Sequence, residues 1–265
     1  MTWAWRRLPA LGRAAETPPG RIGRRLGDWV GRPWEQRATQ TYVTAISATS
    51  LWTNNAHPQL VRAALQHAST NLEGMTRRPF TVLVSSPFWL ESLSLAPYVG
   101  FVAVAVLVLA PIERRLGTGR WLAAFAAGHV GATLLSAAGL WVAVGAGWID
   151  RSVVHAVDVG WSYGTLAVAA AGTFSLPDDR RKLWVAGVVG AAAIMVGTNP
   201  TFTDVGHVLA LAIGFAMGPK LTAGLSGPAS PGRKGQRGAG SESGTAPDDA
   251  AGLGLESGST RAGGA

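Results

Sequence analysis

The chain has 265 residues, of which 48% are hydrophobic and only 14% are charged, and it contains 35 glycines and no cysteine. Soluble domains carry about 25% charged residues, so the composition argues against an ordinary soluble enzyme. The lack of cysteine excludes disulfides, thiolate metal sites and cysteine nucleophiles. The net charge of +8 lies in short clusters between long apolar runs, so no nucleic-acid partner is expected.

Six stretches of the chain are free of Asp, Glu, Lys and Arg, and each approaches the length of about 20 residues that a membrane-crossing helix needs. They are 38–61, 92–112, 121–149, 159–177, 183–203 and 205–219. We therefore predict an all-α membrane protein with six transmembrane helices. The first stretch is rich in Thr and Ser and would also suit an interfacial helix. The predicted six-span topology, however, requires this stretch to cross the membrane.

The basic residues predict the orientation, because Lys and Arg stay on the cytosolic side during insertion. Of the 23 Lys and Arg, all but Arg62, Arg77, Arg78 and Arg151 fall on one side of a six-span topology. Both termini are therefore expected in the cytosol, with membrane lipids, anionic headgroups among them, as partners of the basic clusters. The expected location is the plasma membrane of a bacterium.

The segments around the predicted membrane domain, 38–219, differ from it in composition. Residues 1–37 are rich in Arg and Trp, and no apolar run of a cleaved signal follows. Residues 220–265 are rich in Gly, Ser, Pro and Ala and contain no aromatic residue, which predicts a disordered cytosolic tail. The external loop at about 54–90, with a short amphipathic helix predicted near Leu60, is long enough to carry function or to cover the membrane surface.

Several ionisable side chains lie within or at the rim of the predicted spans, where such groups are costly and indicate functional sites. Three have structural interpretations: His129 as a buried, paired histidine near mid-membrane, and Glu91 and His155 as rim residues. Ser162 and His207 open the fourth and sixth spans. Both of these spans start outside, so the two side chains should lie at a similar depth on the extracytoplasmic side.

Small residues recur every four positions around this pair, which lets membrane helices approach closely. Gly160 and Gly164 flank Ser162, and a second series follows the sixth span: Gly206, Ala210, Gly214 and Gly218. If the two faces meet, the Ser162 hydroxyl and the His207 imidazole come within hydrogen-bond reach, as nucleophilic catalysis requires. Such faces are also ordinary packing contacts, and this alternative stays open.

Two aspartates share helical faces with the pair. Asp158 precedes Ser162 by four residues, and Asp204 precedes His207 by three. Neighbours at these spacings lie on one face of a helix, so either carboxylate would be able to orient the imidazole. N-capping of the two spans is the alternative role, and we favour it.

The chain resembles the rhomboid family of intramembrane serine proteases over about 78–218. Four pieces carry the resemblance: the segment Arg78–Trp89 before the second span, the turn Glu113–Arg114–Arg115–Leu116–Gly117–Thr118–Gly119–Arg120, the motif Gly160–Trp161–Ser162, and Gly206–His207 with Ile213–Gly218. The turn is similar to the family's Glu-x-Arg-x-Gly-[Ser/Thr]-Gly, which is the most specific of the four. Their order and membrane side agree with the predicted topology.

The resemblance implies a six-helix rhomboid-like bundle in which Ser162 attacks a peptide bond of a single-span membrane protein and His207 acts as base. It implies neither a metal nor an organic cofactor. Gly160 and Gly164 would lend backbone amides near Ser162 to an oxyanion hole or serve in helix packing. The fifth span would be the lateral gate for substrate.

Two other functions remain as alternatives. The family's His-x-x-x-Asn in the second span has no counterpart in 95–101, Tyr163 follows the serine where Gly is usual, and Leu166 stands where an aromatic residue often supports the imidazole. These differences favour a catalytically inactive relative that binds transmembrane helices. A small transporter would use the two Asp-Val-Gly segments, but no inverted repeat accompanies them.

Overall fold

The computed structural model describes residues 18–90, 95–198 and 202–225. Residues 1–17, the predicted disordered tail beyond residue 225 and the predicted rim residue Glu91 lie outside these ranges. Within them the chain is helical and contains no β-strand. The prediction of an all-α protein is confirmed for the part of the chain that the structure describes.

Most of the helices follow one another with short connections, and the longest connection in the described ranges, 146–161, lies between α8 and α9. In chain order they are α1 (Pro18–Val30), α2 (Arg37–Asn55), α3 (Pro58–Ala68), α4 (Leu72–Arg77), α5 (Pro79–Ser85), α6 (Leu95–Val104), α7 (Ala110–Leu116), α8 (Thr118–Gly145), α9 (Ser162–Gly172), α10 (Asp178–Thr198) and α11 (Phe202–Thr222). A π-helical turn, Ala105–Leu109, joins α6 and α7 into one helix, Leu95–Leu116, which we call α6–α7.

Three of these helices are long and apolar enough to cross a membrane, namely α6–α7, α8 and α11. The other predicted spans also contain helices, but α2 is rich in Thr and Ser, and α10 begins with the charged run Asp178–Lys182. The fourth span, predicted over 159–177, is α-helical only for the 11 residues of α9, about 16 Å of helix. The count of six spans is therefore not confirmed.

Helix α9 lies at the centre of the fold, and every residue from Tyr163 to Gly172 is buried. Glycines on the neighbouring helices make this possible. A Cβ added to Gly128 of α8 would lie 2.0 Å from the Ala167 Cβ, and one added to Gly214 of α11 would lie 2.4 Å from the Ala167 carbonyl oxygen. The backbones of α8, α9 and α11 are therefore in close contact, which small residues allow in membrane helices.

The predicted meeting of two small-residue faces is observed for only one of them. Gly206, Gly214 and Gly218 of α11 do face residues of α9 and the turn after it. Gly164, however, faces α8: its added Cβ would lie 2.4 Å from the ring of Phe125. Successive helical residues are about 100° apart, so Tyr163, and not Gly164, takes the side that faces α11.

The buried carboxylate of Glu113 connects three helices. Its side chain is 1% exposed and accepts hydrogen bonds from the backbone N–H groups of Ala38 at 2.9 Å and Thr39 at 2.8 Å. It also accepts one from the hydroxyl of Thr118 at 2.7 Å. The carboxylate therefore satisfies free amides at the start of α2 and holds the turn between α7 and α8.

The segment between α2 and α6, which the sequence predicts to be external and which we call the external segment, folds into the short helices α3, α4 and α5. The predicted amphipathic helix is α3, but its buried side chains are Val61, Leu65 and Ala68, whereas Leu60 is 59% exposed. The side chain of Asn71 accepts a hydrogen bond from the N–H of Gly74 at 2.8 Å and so caps α4. The segment is thus a folded cover whose inner side contacts the membrane helices.

Replacing Glu113 with glutamine should destabilise the fold, because an amide nitrogen would face one of the three donors. Hydrogen bonds to charged groups contribute about 1.5–3 kcal/mol each, and we expect Glu113→Gln to lose about 2 kcal/mol and roughly 5 °C in Tm. Thermal unfolding in detergent measures this. The control is Glu35→Gln, whose side chain is 54% exposed beside Arg32 and should change Tm little; equal shifts would contradict the prediction.

Candidate active site

The structure brings together the two residues predicted as nucleophile and base. Ser162 is the first residue of α9, and His207 lies in the second turn of α11. The distance from His207 Nε2 to Ser162 Oγ is 2.8 Å, which is a good hydrogen bond. His207 is buried and Ser162 is half-buried. The close packing of α9 against α11 creates this contact between residues far apart in the sequence.

Asp204 lies beside the other nitrogen of the imidazole. Its Oδ1 is 3.5 Å from His207 Nδ1, one helical turn away, and both side chains are buried. This distance exceeds that of a well-formed hydrogen bond but still allows electrostatic attraction. Asp204 also belongs to the first turn of α11, where the helix dipole stabilises a negative charge. The position therefore suits the predicted orienting role, whereas the favoured role of N-cap is wrong, because Asp204 is the third residue of α11 and lies inside the helix.

Asp158 has a different role from the capping that the sequence suggested. Helix α9 begins four residues later, and its N-cap position, Trp161, makes no side-chain capping bond. The carboxylate of Asp158 accepts a hydrogen bond from the hydroxyl of Thr70 at 2.9 Å, and its carbonyl accepts one from the Thr70 N–H at 2.8 Å. Its own N–H donates to Ser69 Oγ at 2.8 Å. Asp158 thus joins the external segment to the non-helical stretch before α9.

Gly160 shapes the entry into α9. Its φ of +154° is a conformation that residues with a side chain rarely adopt, and a Cβ there would lie 4.0 Å from Ser162 Oγ. Its N–H donates to the carbonyl of Ser86 at 3.1 Å. Because that N–H is already engaged, Gly160 is not the oxyanion donor that the resemblance suggested.

Backbone donors are instead available in the first turn of α9. The first N–H groups of a helix have no partner within the helix, and here these belong to Ser162, Tyr163 and Gly164. They carry the positive end of the helix dipole, which attracts negative charge. An oxyanion that forms at a carbonyl attacked by Ser162 Oγ would lie beside these amides.

Tyr163 is a site residue that the sequence analysis did not find. Its ring packs edge-on against the imidazole of His207, with centroids 5.2 Å apart and planes at 78°. Its hydroxyl donates to the carbonyl of Thr203 at 3.2 Å. A Cβ on Gly206 would lie 2.2 Å from the tyrosine Cζ, so that glycine makes the room for the ring. The spacing of residues in the sequence gave no signal for this contact.

An apolar cavity of about 550 Å³ lies between α6–α7, α9 and α10, with Ser162 in its wall. Its remaining lining is mostly aliphatic and aromatic. Among the lining residues are Val104, Val108, Thr165, Leu166, Ala169, Leu183, Trp184 and Val188. A cavity of this size and polarity accommodates several apolar side chains of a bound segment.

A second serine–histidine pair lies outside this cavity. His129 Nε2 is 3.1 Å from Ser86 Oγ and 3.1 Å from the Leu83 carbonyl oxygen, and both Ser86 and His129 are buried. His129 is thus buried and hydrogen-bonded, in agreement with its structural interpretation. Neither Ser86 nor His129 is among the residues that line the Ser162 cavity.

The other predicted polar residue at the rim, His155, lies on the exposed surface. Its Nδ1 is 2.8 Å from Glu73 Oε2. Over residues 18–90, 95–198 and 202–225, no group of three or more His, Cys, Asp or Glu side chains has the arrangement of a metal site.

Comparison with known proteins gives one match. The family model described as rhomboid-like protein matches residues 35–227, which include α2 to α11 and both members of the Ser162–His207 pair. No curated protein and no solved structure matches the chain.

Adding a methyl group at Gly206 should disturb the site through Tyr163. Overpacking of this kind costs about 1–3 kcal/mol, so Gly206→Ala should lower Tm, while Gly139→Ala should not, because a Cβ there meets no atom within 4 Å. In a Tyr163→Ala background the same change should add no further loss. A double-mutant cycle by thermal unfolding measures the coupling, and an equal cost in both backgrounds would contradict the contact.

Proposed function

Because the chain belongs to the rhomboid-like family, we propose that it is an intramembrane serine protease that cleaves membrane-anchored proteins. The observation that carries the proposal is the 2.8 Å hydrogen bond between His207 Nε2 and Ser162 Oγ. A hydroxyl bonded to an imidazole is the arrangement that activates a serine nucleophile. The apolar cavity beside Ser162 suits a substrate that is itself a membrane segment.

The proposed reaction proceeds by acyl transfer. His207 Nε2 takes the proton of Ser162 as Oγ attacks the scissile carbonyl, and the resulting oxyanion is stabilised by the first-turn amides of α9. The imidazolium then gives its proton to the leaving amine, and the peptide C–N bond breaks. A water molecule, deprotonated by His207, hydrolyses the acyl-enzyme and regenerates the serine.

Two neighbours of His207 would assist this proton transfer. The carboxylate of Asp204 lies 3.5 Å from His207 Nδ1 and would stabilise the positive charge that the imidazole acquires. The ring of Tyr163, edge-on to the imidazole, limits its rotation. Tyr163 would thus supply the aromatic support that Leu166 does not.

We further propose that the chain crosses the membrane six times, through α2, α6–α7, α8, the stretch 159–177 that contains α9, α10 and α11, with both termini in the cytosol. The distribution of Lys and Arg supports this orientation. In this orientation the Ser162–His207 site would be open to water on the extracytoplasmic side of a bacterial plasma membrane. Single-span membrane proteins would be the substrates, and no metal or organic cofactor would take part.

A fluorophosphonate probe tests the nucleophile. The purified chain in detergent should be labelled, Ser162→Ala should not, and His207→Ala should be labelled about 10²-fold more slowly or less, because it lacks the general base. The matched control is Ser86→Ala, which removes the hydroxyl of the other serine–histidine pair and should be labelled like the wild type. Equal or absent labelling of wild type and Ser162→Ala would refute the proposal.

Single cysteines test the topology, because the chain has none of its own. Gln59 is exposed on α3, and the side chain of Asp179 at the start of α10 is 76% exposed. A membrane-impermeant maleimide should label Gln59→Cys on intact cells and should label Asp179→Cys only after lysis. The reverse pattern, or labelling of both on intact cells, would contradict the proposed orientation.

A catalytically inactive rhomboid-like protein that binds transmembrane helices is the second candidate. The observation that favours it is the lack of His and Asn in 95–101, since one missing oxyanion donor typically lowers turnover about 10²- to 10³-fold. This candidate predicts that a single-span peptide binds to the wild type and to Ser162→Ala equally and is cleaved by neither. Cleavage by the wild type alone would exclude it.

A further inference from the structure

Among the described residues that line the Ser162 cavity, only Arg180 carries a charge. The cavity wall follows α9 from Ser162 to Ala169 and α10 from Arg180 to Ala191, a rise of about 16 Å on α10. The end of α9 is joined to the start of α10 by a short connection, so Arg180 lies at the opposite end of the cavity from Ser162. The cavity is therefore a long apolar space with a cation at one end.

Two more arginines lie at this end of the cavity, in the last turn of α7. The charges of Arg114 and Arg180 both act on the guanidinium of Arg115. That guanidinium lies 5.0 Å from the centre of the Trp29 ring, which is itself part of the cavity wall. Arg114 Nη2 donates to the carbonyls of Asp28 at 2.9 Å and Trp29 at 2.6 Å. Three like charges are thus gathered where α1, α7 and α10 meet.

The carboxylates of the described chain do not neutralise these charges. In the ranges 18–90, 95–198 and 202–225, no carboxylate lies within 4.0 Å of Arg115. Its Nη1 donates to the carbonyl of Ser175 at 3.3 Å, and its Nε is buried without a partner among the described residues. Asp179 is 3.9 Å from Arg180, but both side chains are mostly exposed, and such pairs are weak. The cluster therefore keeps donors and positive charge for an anion.

The surroundings of the arginines are those of a lipid headgroup region. The rings of Trp29 and Trp184 lie 5.4 Å apart beside the cluster, and tryptophan is enriched at the level of the headgroups. Leu183 and Gly187 line the cavity and are also exposed, Leu183 at 79%. The apolar space is therefore open at the side of α10, where the acyl chains of a bilayer surround a membrane helix.

From this arrangement we propose that the cavity binds an anionic phospholipid, with the phosphate between Arg115 and Arg180 and one acyl chain along α10 towards Ser162. Guanidinium groups bind phosphate oxygens through charge-assisted hydrogen bonds, and clusters of Arg next to a span attract anionic headgroups. The apolar side chains of a substrate segment also suit the cavity wall, but they leave the two guanidiniums without an anion. The lipid site requires a membrane location and does not depend on the proposed cleavage reaction.

Native mass spectrometry of the full chain in a neutral detergent measures the binding of added lipids. The probes are phosphatidylglycerol and phosphatidylcholine with the same acyl chains, and free glycerol phosphate, which has no chain. Arg115→Gln and Arg180→Gln test the headgroup contacts. The matched control is Arg120→Gln, because Arg120 is exposed at the same end of the bundle and does not line the cavity.

A second pair of variants tests the position of the acyl chain. A Cβ on Gly187 or on Gly190 meets no atom within 4 Å, so both positions of α10 have room for a larger side chain. Only Gly187 lines the cavity. Gly187→Leu therefore fills part of the space proposed for the chain, and Gly190→Leu is its control.

We expect the wild type to bind one phosphatidylglycerol about tenfold more tightly than phosphatidylcholine and to retain no glycerol phosphate. Arg115→Gln and Arg180→Gln should each weaken phosphatidylglycerol binding about tenfold, as expected for the loss of a hydrogen bond to a charged group. Gly187→Leu should weaken it as well, while Arg120→Gln and Gly190→Leu should bind like the wild type.

Three results would overturn the proposal: equal affinities for the two lipids, equal losses in Arg120→Gln and the two cavity arginine variants, or full binding by Gly187→Leu. Retention of glycerol phosphate as tightly as the lipid would also overturn it, because the acyl chain would then contribute nothing. If Arg115→Gln does not fold, Arg180→Gln decides the headgroup contact, since the side chain of Arg180 is 58% exposed and its loss leaves the core unchanged.

Discussion

Helix α9 can be buried on every side only because glycine and alanine on α8 and α11 leave room for its backbone. A Cβ on Gly128 or Gly214 would come within 2.0–2.4 Å of Ala167, so these helices cannot separate or rotate without losing contact along their length. The position of Ser162 relative to His207 follows from this packing. The candidate site is therefore a property of three helices, and its geometry is more rigid than that of the exposed α10.

A second constraint comes from the stretch before α9, where the chain is not helical. The partly buried backbone groups of this stretch need partners within the protein, and the external segment supplies them. Asp158 bonds to Ser69 and Thr70, and the N–H of Gly160 bonds to the carbonyl of Ser86. The external segment thus supplies the hydrogen-bond partners that water would otherwise supply to this stretch, and it fixes the start of α9.

The sequence predicted that Ser162 and His207 lie at a similar depth, because charge-free stretches give the depth of a residue. It raised their contact as one alternative beside ordinary helix packing, because small residues indicate close contacts. The sequence was insufficient to decide which of two neighbouring residues on a helix faces a given partner helix. A spacing of four residues does not say whether Gly164 faces α8 or α11, and it does not reveal that Tyr163 needs the space at Gly206. The predicted fourth span was longer than α9, because a stretch without charged residues indicates burial but does not indicate a helical backbone.

The contacts of Glu113 also have a consequence for biosynthesis. The N–H groups of Ala38 and Thr39 donate to the carboxylate of Glu113, which lies 75 and 74 positions later in the chain. At about 5–20 residues per second, the ribosome adds Glu113 roughly 4–15 s after the start of α2. During this interval the N–H groups at the start of α2 lack the Glu113 carboxylate, and only water or lipid headgroups can accept their hydrogen bonds. The start of α2 is thus completed by the turn between α7 and α8, so that the order of assembly differs from the order of synthesis.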